Sequence, residues 1–186
     1  MRQKIQDIIE AISPFDEVEA AHRQDALNWI KSGVPLFRVQ KPDVPPKHIV
    51  SYFAVFDPKN KKILLQDHLL AKRWLAPGGH VDPDEDPAET VRRECVEELG
   101  IEAKFLHPDP QFVTVTVTNG QGEHTDVSLW YILEADYTTE LTIEPDRFAE
   151  VRWWDIDDVL AASIDIFDPC MHRFIRKLQR HGFIFE

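Results

Sequence analysis

Hydrophobic positions in the first forty residues recur with helical spacing. Ile5, Ile8, Ile9 and Ile12 form one apolar stripe, and Ala21, Ala26, Leu27 and Ile30 form a less regular one. Helices are therefore predicted over 2–12 and 16–32, with Gly33 as a stop after the second. The following segment, KPDVPPK (41–47), is rich in proline and reads as a stiff connector. Beyond it the period changes. HIVSYFAVF (48–56) and KKILLQDH (61–68) are β-branched and aromatic, and they flank the turn sequence Asp57-Pro58-Lys59-Asn60. QFVTVTVT (111–118) alternates with period two and, across NGQG (119–122), faces DVSLWYILEA (126–135) as a hairpin with a long loop. EVRWWDI (150–156) reads as another short strand, leading to helices near 156–163 and 168–181. Strands and helices interleave without a regular βαβ repeat, which predicts an α/β chain with helices packed on a mixed sheet.

One further helix, over 87–99, is marked at both ends. Asp86 suits the N-cap, Pro87 the first turn and Glu89 the third helical position, and Gly100 sits where a left-handed residue would end it. Within it Glu94, Glu97 and Glu98 stand at i, i+3 and i+4, inside an arc of roughly 100°. Val91, Cys95 and Leu99 form an adjacent apolar stripe suited to packing on the sheet. Like charges at i,i+4 repel by a few tenths of a kcal/mol, so stability alone gives no reason for the cluster. A hard divalent cation would offset the repulsion. Oxygen-only donors suit Mg²⁺ or Mn²⁺ rather than zinc.

Composition narrows the class. With 186 residues, 43% of them hydrophobic and 29% charged, the chain has room for one full-sized domain with a core. No apolar run approaches the roughly 20 residues needed to span a bilayer, and the charged N-terminus lacks the features of a signal peptide. The expectation is a cytoplasmic protein without membrane association. Cys95 and Cys170 are not spaced as a pair and read as reduced packing residues. The net charge of −12 disfavours a nucleic acid polymer as partner. A small phosphorylated substrate can still bind such a surface if a divalent cation bridges the two.

The spacing from Gly79 through Glu85, Arg93, Glu94, Cys95, Glu97, Glu98 and Gly100 to Ile101 resembles the complete Nudix box. Seven fixed identities at about 6% each match by chance on the order of 10⁻⁹ per starting position. The preceding Trp74-Leu75-Ala76-Pro77-Gly78 also keeps the family's pattern, whereas Asp84 stands where glycine is frequent, so the loop must turn without it. The resemblance implies a Nudix-type α/β/α sandwich with a mixed sheet over 41–186, preceded by an N-terminal helical extension over 1–40.

It further implies a Mg²⁺-dependent (or Mn²⁺-dependent) hydrolase of phosphoric anhydride bonds, cleaving the pyrophosphate linkage of a nucleoside diphosphate joined to another moiety. The alternatives are a nucleoside triphosphate pyrophosphohydrolase that removes oxidised nucleotides, and a non-catalytic nucleotide-sugar sensor. By the same resemblance Gly79 would offer its carbonyl to the metal, and Glu94, Glu97 and Glu98 their carboxylates, with a proton-accepting role open to Glu94. Arg93 and Glu85 would pair with each other or with those acids, and Glu150 would supply a ligand from outside the box, with Glu123 as a loop alternative. His80 reads as a loop histidine beside the site, and His124 carries no assigned role. Trp130, Trp153, Trp154 and Phe53 read as core, and the basic residues Arg173, Arg176, Lys177 and Arg180 as a solvated helix face. Substrate-binding residues are not legible, and the helical extension could pack against a second copy as a homodimer.

Overall fold

The computed structural model describes residues 1–40, 44–119, 123–143 and 148–184, with the side chains of Asn119 and Glu123 left aside. The turn residues 120–122, the start of the connector and the Glu123 carboxylate therefore lie outside the described residues. The helices are α1 (Arg2–Ala11), α2 (Glu17–Lys31), α3 (Pro87–Leu99), α4 (Ile156–Ala161) and α5 (Met171–Arg180). The strands are β1 (Lys47–Asp57), β2 (Lys62–His68), β3 (Arg73–Leu75), β4 (Gly78–His80), β5 (Phe112–Asn119), β6 (Glu123–Glu134) and β7 (Phe148–Asp155). Among the described residues, no helix is long and apolar enough to cross a membrane. Two compact units result. Unit 1 comprises Met1–Tyr52, Gly78–Val91 and Pro108–Tyr131, and unit 2 comprises Phe53–Pro77, Arg92–His107 and Ile132–Glu186.

In unit 1, α1 and α2 bury Ile5, Ile9, Ile12, Ala26, Leu27 and Ile30, whereas Ala21 of the expected stripe faces solvent. Its place is taken by Glu19, fully buried, whose carboxylate accepts from the backbone N–H of Phe15 at 2.6 Å and of Val113 on β5 at 3.3 Å. Asp16 caps α2 by accepting from the Glu19 N–H at 2.8 Å. Strand β4 pairs antiparallel with the first half of β1, placing Val50 opposite His80, Ser51 opposite Gly79 and Tyr52 opposite Gly78. This approach leaves no room for a side chain at Gly78: a Cβ there would sit 2.4 Å from Tyr52 Cδ1 and 2.5 Å from the Ser51 carbonyl oxygen. β5 and β6 form the expected antiparallel hairpin, from Phe112–Trp130 to Asn119–Glu123. The Thr125 N–H donates to the Pro46 carbonyl, so β6 also lies beside β1.

In unit 2, β2 is the central strand. It pairs antiparallel with β1 (Val55 opposite Leu64), with β3 (Asp67 opposite Trp74) and with β7 (Leu64 opposite Trp153). The Ala135 N–H donates to the Phe56 carbonyl. From Pro46–Thr125 to Phe56–Ala135 both strands advance together, so β1 and β6 run parallel within an otherwise antiparallel arrangement. The mixed sheet with packed helices is present as expected. Arg152 on β7 lays its guanidinium over two indoles, 4.6 Å from the ring centre of Trp74 and 3.8 Å from that of Trp154.

Three expectations change here. β3 and β4, each three residues long, were not legible as strands. β6 begins earlier than the hydrophobic run suggests, so His124 lies in the strand opposite Thr118 rather than in a loop. The basic residues of α5 do not share a solvated face: Arg176 and Arg180 are exposed, but Lys177 is buried.

Candidate functional site

The helix bearing the acidic cluster forms as its end signals predict. Asp86 caps α3, its carboxylate accepting from the Ala88 N–H at 3.0 Å and its carbonyl from Glu89 and Thr90, while its other oxygen pairs with Lys4. At the far end Gly100 adopts φ +69° and donates to the Val96 carbonyl; a Cβ there would meet the Thr142 side chain at 2.7 Å. Val91, Cys95 and Leu99 are fully buried. Burial, with the Glu98 charge behind it, pushes the Cys95 thiol up to about 12, so it is an inert packing group.

The stripe fixes the rotation of α3 and with it the directions of the acids. Glu98 is 1% exposed and Glu94 is 7% exposed, whereas Glu97 faces solvent. Glu98 Oε2 accepts from the Gln66 side-chain amide of β2 at 3.4 Å. Arg93 joins the other two, its Nη1 donating to Glu94 Oε1 at 2.6 Å and to Glu97 Oε2 at 3.4 Å. All of these groups belong to unit 2.

In unit 1 the loop before α3 is tied to the first turn of the helix by Glu85. Its Oε2 accepts from the Thr90 hydroxyl at 2.7 Å and from the Asp82 N–H at 3.1 Å. Asp84, standing where the family often has glycine, takes the left-handed conformation at φ +64°, which a short polar side chain tolerates better than most. Ser51 Oγ donates to the Pro87 carbonyl at 2.9 Å and anchors the start of the helix to β1. Gly79, buried in β4, completes the residues singled out from the box.

Outside the box, Glu150 lies on β7 of unit 2 opposite Asp67, half exposed, with Arg152 Nε 3.8 Å from its carboxylate. Phe53 and Trp130 are core, whereas Trp153 and Trp154 are only half-buried.

Unit 1 also holds a gathering that the sequence reading missed. His48 of β1, His80 of β4, and His124 and Asp126 of β6 bring one nitrogen or oxygen each to within 4.8 Å of one another. The His48 ring centre lies 4.7 Å from that of His80 and 5.4 Å from that of His124. His80 is thus a strand residue facing other imidazoles, not a surface loop histidine. Burial, followed by the nearby Arg38 charge, lowers its pKa to about 3. Burial also works against charging His48, but the Asp126 carboxylate and the Pro45 carbonyl outweigh it and raise its pKa. Burial would raise the pKa of Asp126, but the imidazoles around it, His48 first, hold it below the ordinary carboxylate value. The available signal was the i, i+2 spacing of His124 and Asp126, which puts both on one face of a strand.

Comparison with known proteins matches residues 46–178 to the model of the NUDIX domain. Over 96 residues, covering 52% of this chain and 65% of the relative, the sequence is 33% identical to asymmetrical bis(5'-nucleosyl)-tetraphosphatase of Rattus norvegicus. It is 46% identical over 142 residues to nucleoside diphosphate-linked moiety X motif 6 of Homo sapiens, covering 70% of this chain and 42% of that one. The chain thus spans less than two thirds of the length of either relative. Among solved structures, a C. elegans Ap4A hydrolase binary complex superposes with TM-score 0.57 at 19% identity, covering 72% of this chain and 96% of that one. At that identity the likeness speaks for the fold.

Proposed function

The chain belongs to the NUDIX family, and from that premise we propose that it is a Mg²⁺-dependent hydrolase. In this reading it cleaves the pyrophosphate linkage of a nucleoside diphosphate joined to another moiety. Residues 41–186 form the hydrolase domain, and 1–40 an appended helical extension. The observation that carries the reading is the state of the three glutamates on α3. Two carboxylates are almost fully buried beside a third that is exposed, and one arginine bridges two of them. Taking a carboxylate out of water costs several kcal/mol unless a counter-charge meets it, and a helix serving only as cover would carry apolar residues here.

The donor set fits a hard divalent cation. Glu94, Glu97 and Glu98 would hold it, with the Gly79 carbonyl and Glu150 as further oxygen donors. When bound, such an ion neutralises charge on the diphosphate oxygens and lowers the pKa of water, the two needs of anhydride hydrolysis. The chain's own residues do the positioning. Arg93 holds Glu94 and Glu97 in fixed rotamers, Gln66 orients Glu98, and Glu85 ties the loop at Asp82 to Thr90 in the first turn of the helix. Instead of ligation, a proton-accepting role toward the attacking water is open to Glu94. The likeness to the rat tetraphosphatase supports a nucleotide with a polyphosphate chain as substrate.

The test is product analysis of the full chain incubated with dinucleoside tetraphosphates, nucleotide sugars and nucleoside triphosphates, with and without Mg²⁺. Mg²⁺-dependent cleavage of the linked nucleotides is expected. Turnover confined to triphosphates would favour the triphosphate pyrophosphohydrolase, and tight binding without turnover the sensor.

A further inference from the structure

We propose that His48, His80, His124 and Asp126 form a binding site for a transition-metal cation of the Zn²⁺ type, built from donors other than the carboxylates of α3. The inference does not depend on the hydrolase reading. It rests on four donors converging from three strands of unit 1, two of them buried atoms that face each other.

His48 is fully buried, and its Nδ1 lies 2.9 Å from the Pro45 carbonyl oxygen. A carbonyl oxygen only accepts, so Nδ1 carries the hydrogen, and in the neutral ring the lone pair is on Nε2. That atom faces Asp126 Oδ1 at 3.3 Å without the alignment of a hydrogen bond. A proton on Nε2 would pair the ring with the carboxylate, and a metal cation between the two atoms can take that proton's place. The other oxygen of Asp126 is already occupied, accepting from the Thr118 hydroxyl at 3.1 Å, which turns Oδ1 inward. His124 Nε2 approaches the same Oδ1 at 3.5 Å.

The Pro45 and Thr118 contacts are the outer partners that orient a metal-bound imidazole and carboxylate. Tetrahedral ligands about 2.0–2.1 Å from a zinc ion lie about 3.4 Å apart. The four atoms here, within 4.8 Å of one another, need small side-chain rotations to reach that spacing. Three imidazoles and one carboxylate suit zinc and its neighbours and suit Mg²⁺ poorly. Four protein ligands leave no open position, which is the pattern of a structural site. Bound there, the ion would lock β1, β4 and β6 together one residue from Gly79.

The experiment is titration of the chelator-treated full chain with Co²⁺ in excess Mg²⁺, read by visible absorption and by metal analysis after desalting. The expected result is one tightly held Co²⁺ per chain with intense tetrahedral bands, displaced by Zn²⁺. His124→Ala and Asp126→Ala, each checked for folding by circular dichroism, should weaken uptake at least tenfold. The Glu94→Gln/Glu97→Gln/Glu98→Gln chain should retain the bands. His124 is near the strand end and only partly buried, so its variant decides the matter if Asp126→Ala does not fold. Failure of the unaltered chain to take up Co²⁺ against Mg²⁺, or unchanged bands and affinity in the His124 variant, would overturn the site. So would loss of the bands in the triple variant.

Discussion

Replacing Asp57 by alanine should cost unit 2 about 3 kcal/mol, a figure that follows from what its carboxylate holds. Asp57 ends β1 and opens the turn into β2. One oxygen accepts from the backbone N–H of Lys59 at 2.9 Å and of Asn60 at 3.0 Å. The other accepts from the Asn60 side-chain amide at 2.9 Å and from the Tyr137 N–H at 3.0 Å, tying in the chain that leaves β6. A bond to an ionised acceptor contributes about 1.5–3 kcal/mol when dry. Lys59 and Asn60 are exposed, so water replaces part of that, and about 0.5–1 kcal/mol for each of four bonds gives the total.

With a urea slope of about 2 kcal/mol/M, the unfolding midpoint should fall by about 1.5 M at pH 7. The pH dependence supplies the second reading. Burial alone would raise the pKa of Asp57, but hydrogen bonds from Tyr137, Asn60 and Lys59 hold it below 3.8. A depressed carboxylate stabilises fully above its unfolded pKa of about 3.9 and loses that contribution as pH falls through the lower folded value. The gap between parent and variant should therefore be constant from pH 7 to about 5 and narrow below about 4. A midpoint shift under about 0.5 M, or a gap unchanged in acid, would refute the reasoning.

Three other outcomes are expected. Glu98→Gln should lower the hydrolysis rate at least tenfold with Mg²⁺ saturating, and near-normal turnover of a folded variant would remove Glu98 from the metal site. Mg²⁺ at a hundred times its dissociation constant should stabilise the parent by about 2.7 kcal/mol, raising the melting temperature by several degrees, with the gain reversed by chelator and reduced in Glu98→Gln. Gly78→Ala should destabilise by about 2 kcal/mol or more, because the new methyl meets the Ser51 carbonyl oxygen, which cannot rotate away. A melting temperature equal to the parent's would show that β4 shifts freely against β1.

The legible parts of this fold were those encoded locally. The bounds of α3 follow from Asp86, Pro87 and Gly100, and its orientation follows from the stripe of Val91, Cys95 and Leu99, so the clustering of the acids is readable from the sequence. β4 was not, because three residues carry no period, and the demand for glycine at 78 comes from Tyr52, twenty-six positions away. The imidazole cluster was hidden for the same reason. His48, His80 and His124 are far apart along the chain, and only the register of β1 against β4 and the parallel course of β6 bring them together. Glu19 shows the opposite failure: an acid inside a helical pattern reads as solvated, yet it is buried, its carboxylate accepting from the backbone N–H groups of Phe15 and Val113.

The stacking of Arg152 on Trp74 and Trp154 gives the molecule a built-in optical reporter. The two indoles lie 5.1 Å apart at 78°, close enough for their electronic transitions to couple, and a cation rests on both faces. One indole belongs to β3 and the other to β7. Near-ultraviolet dichroism and emission wavelength should therefore register any parting of those strands, without a label, in the stretch of chain that leads to Gly79.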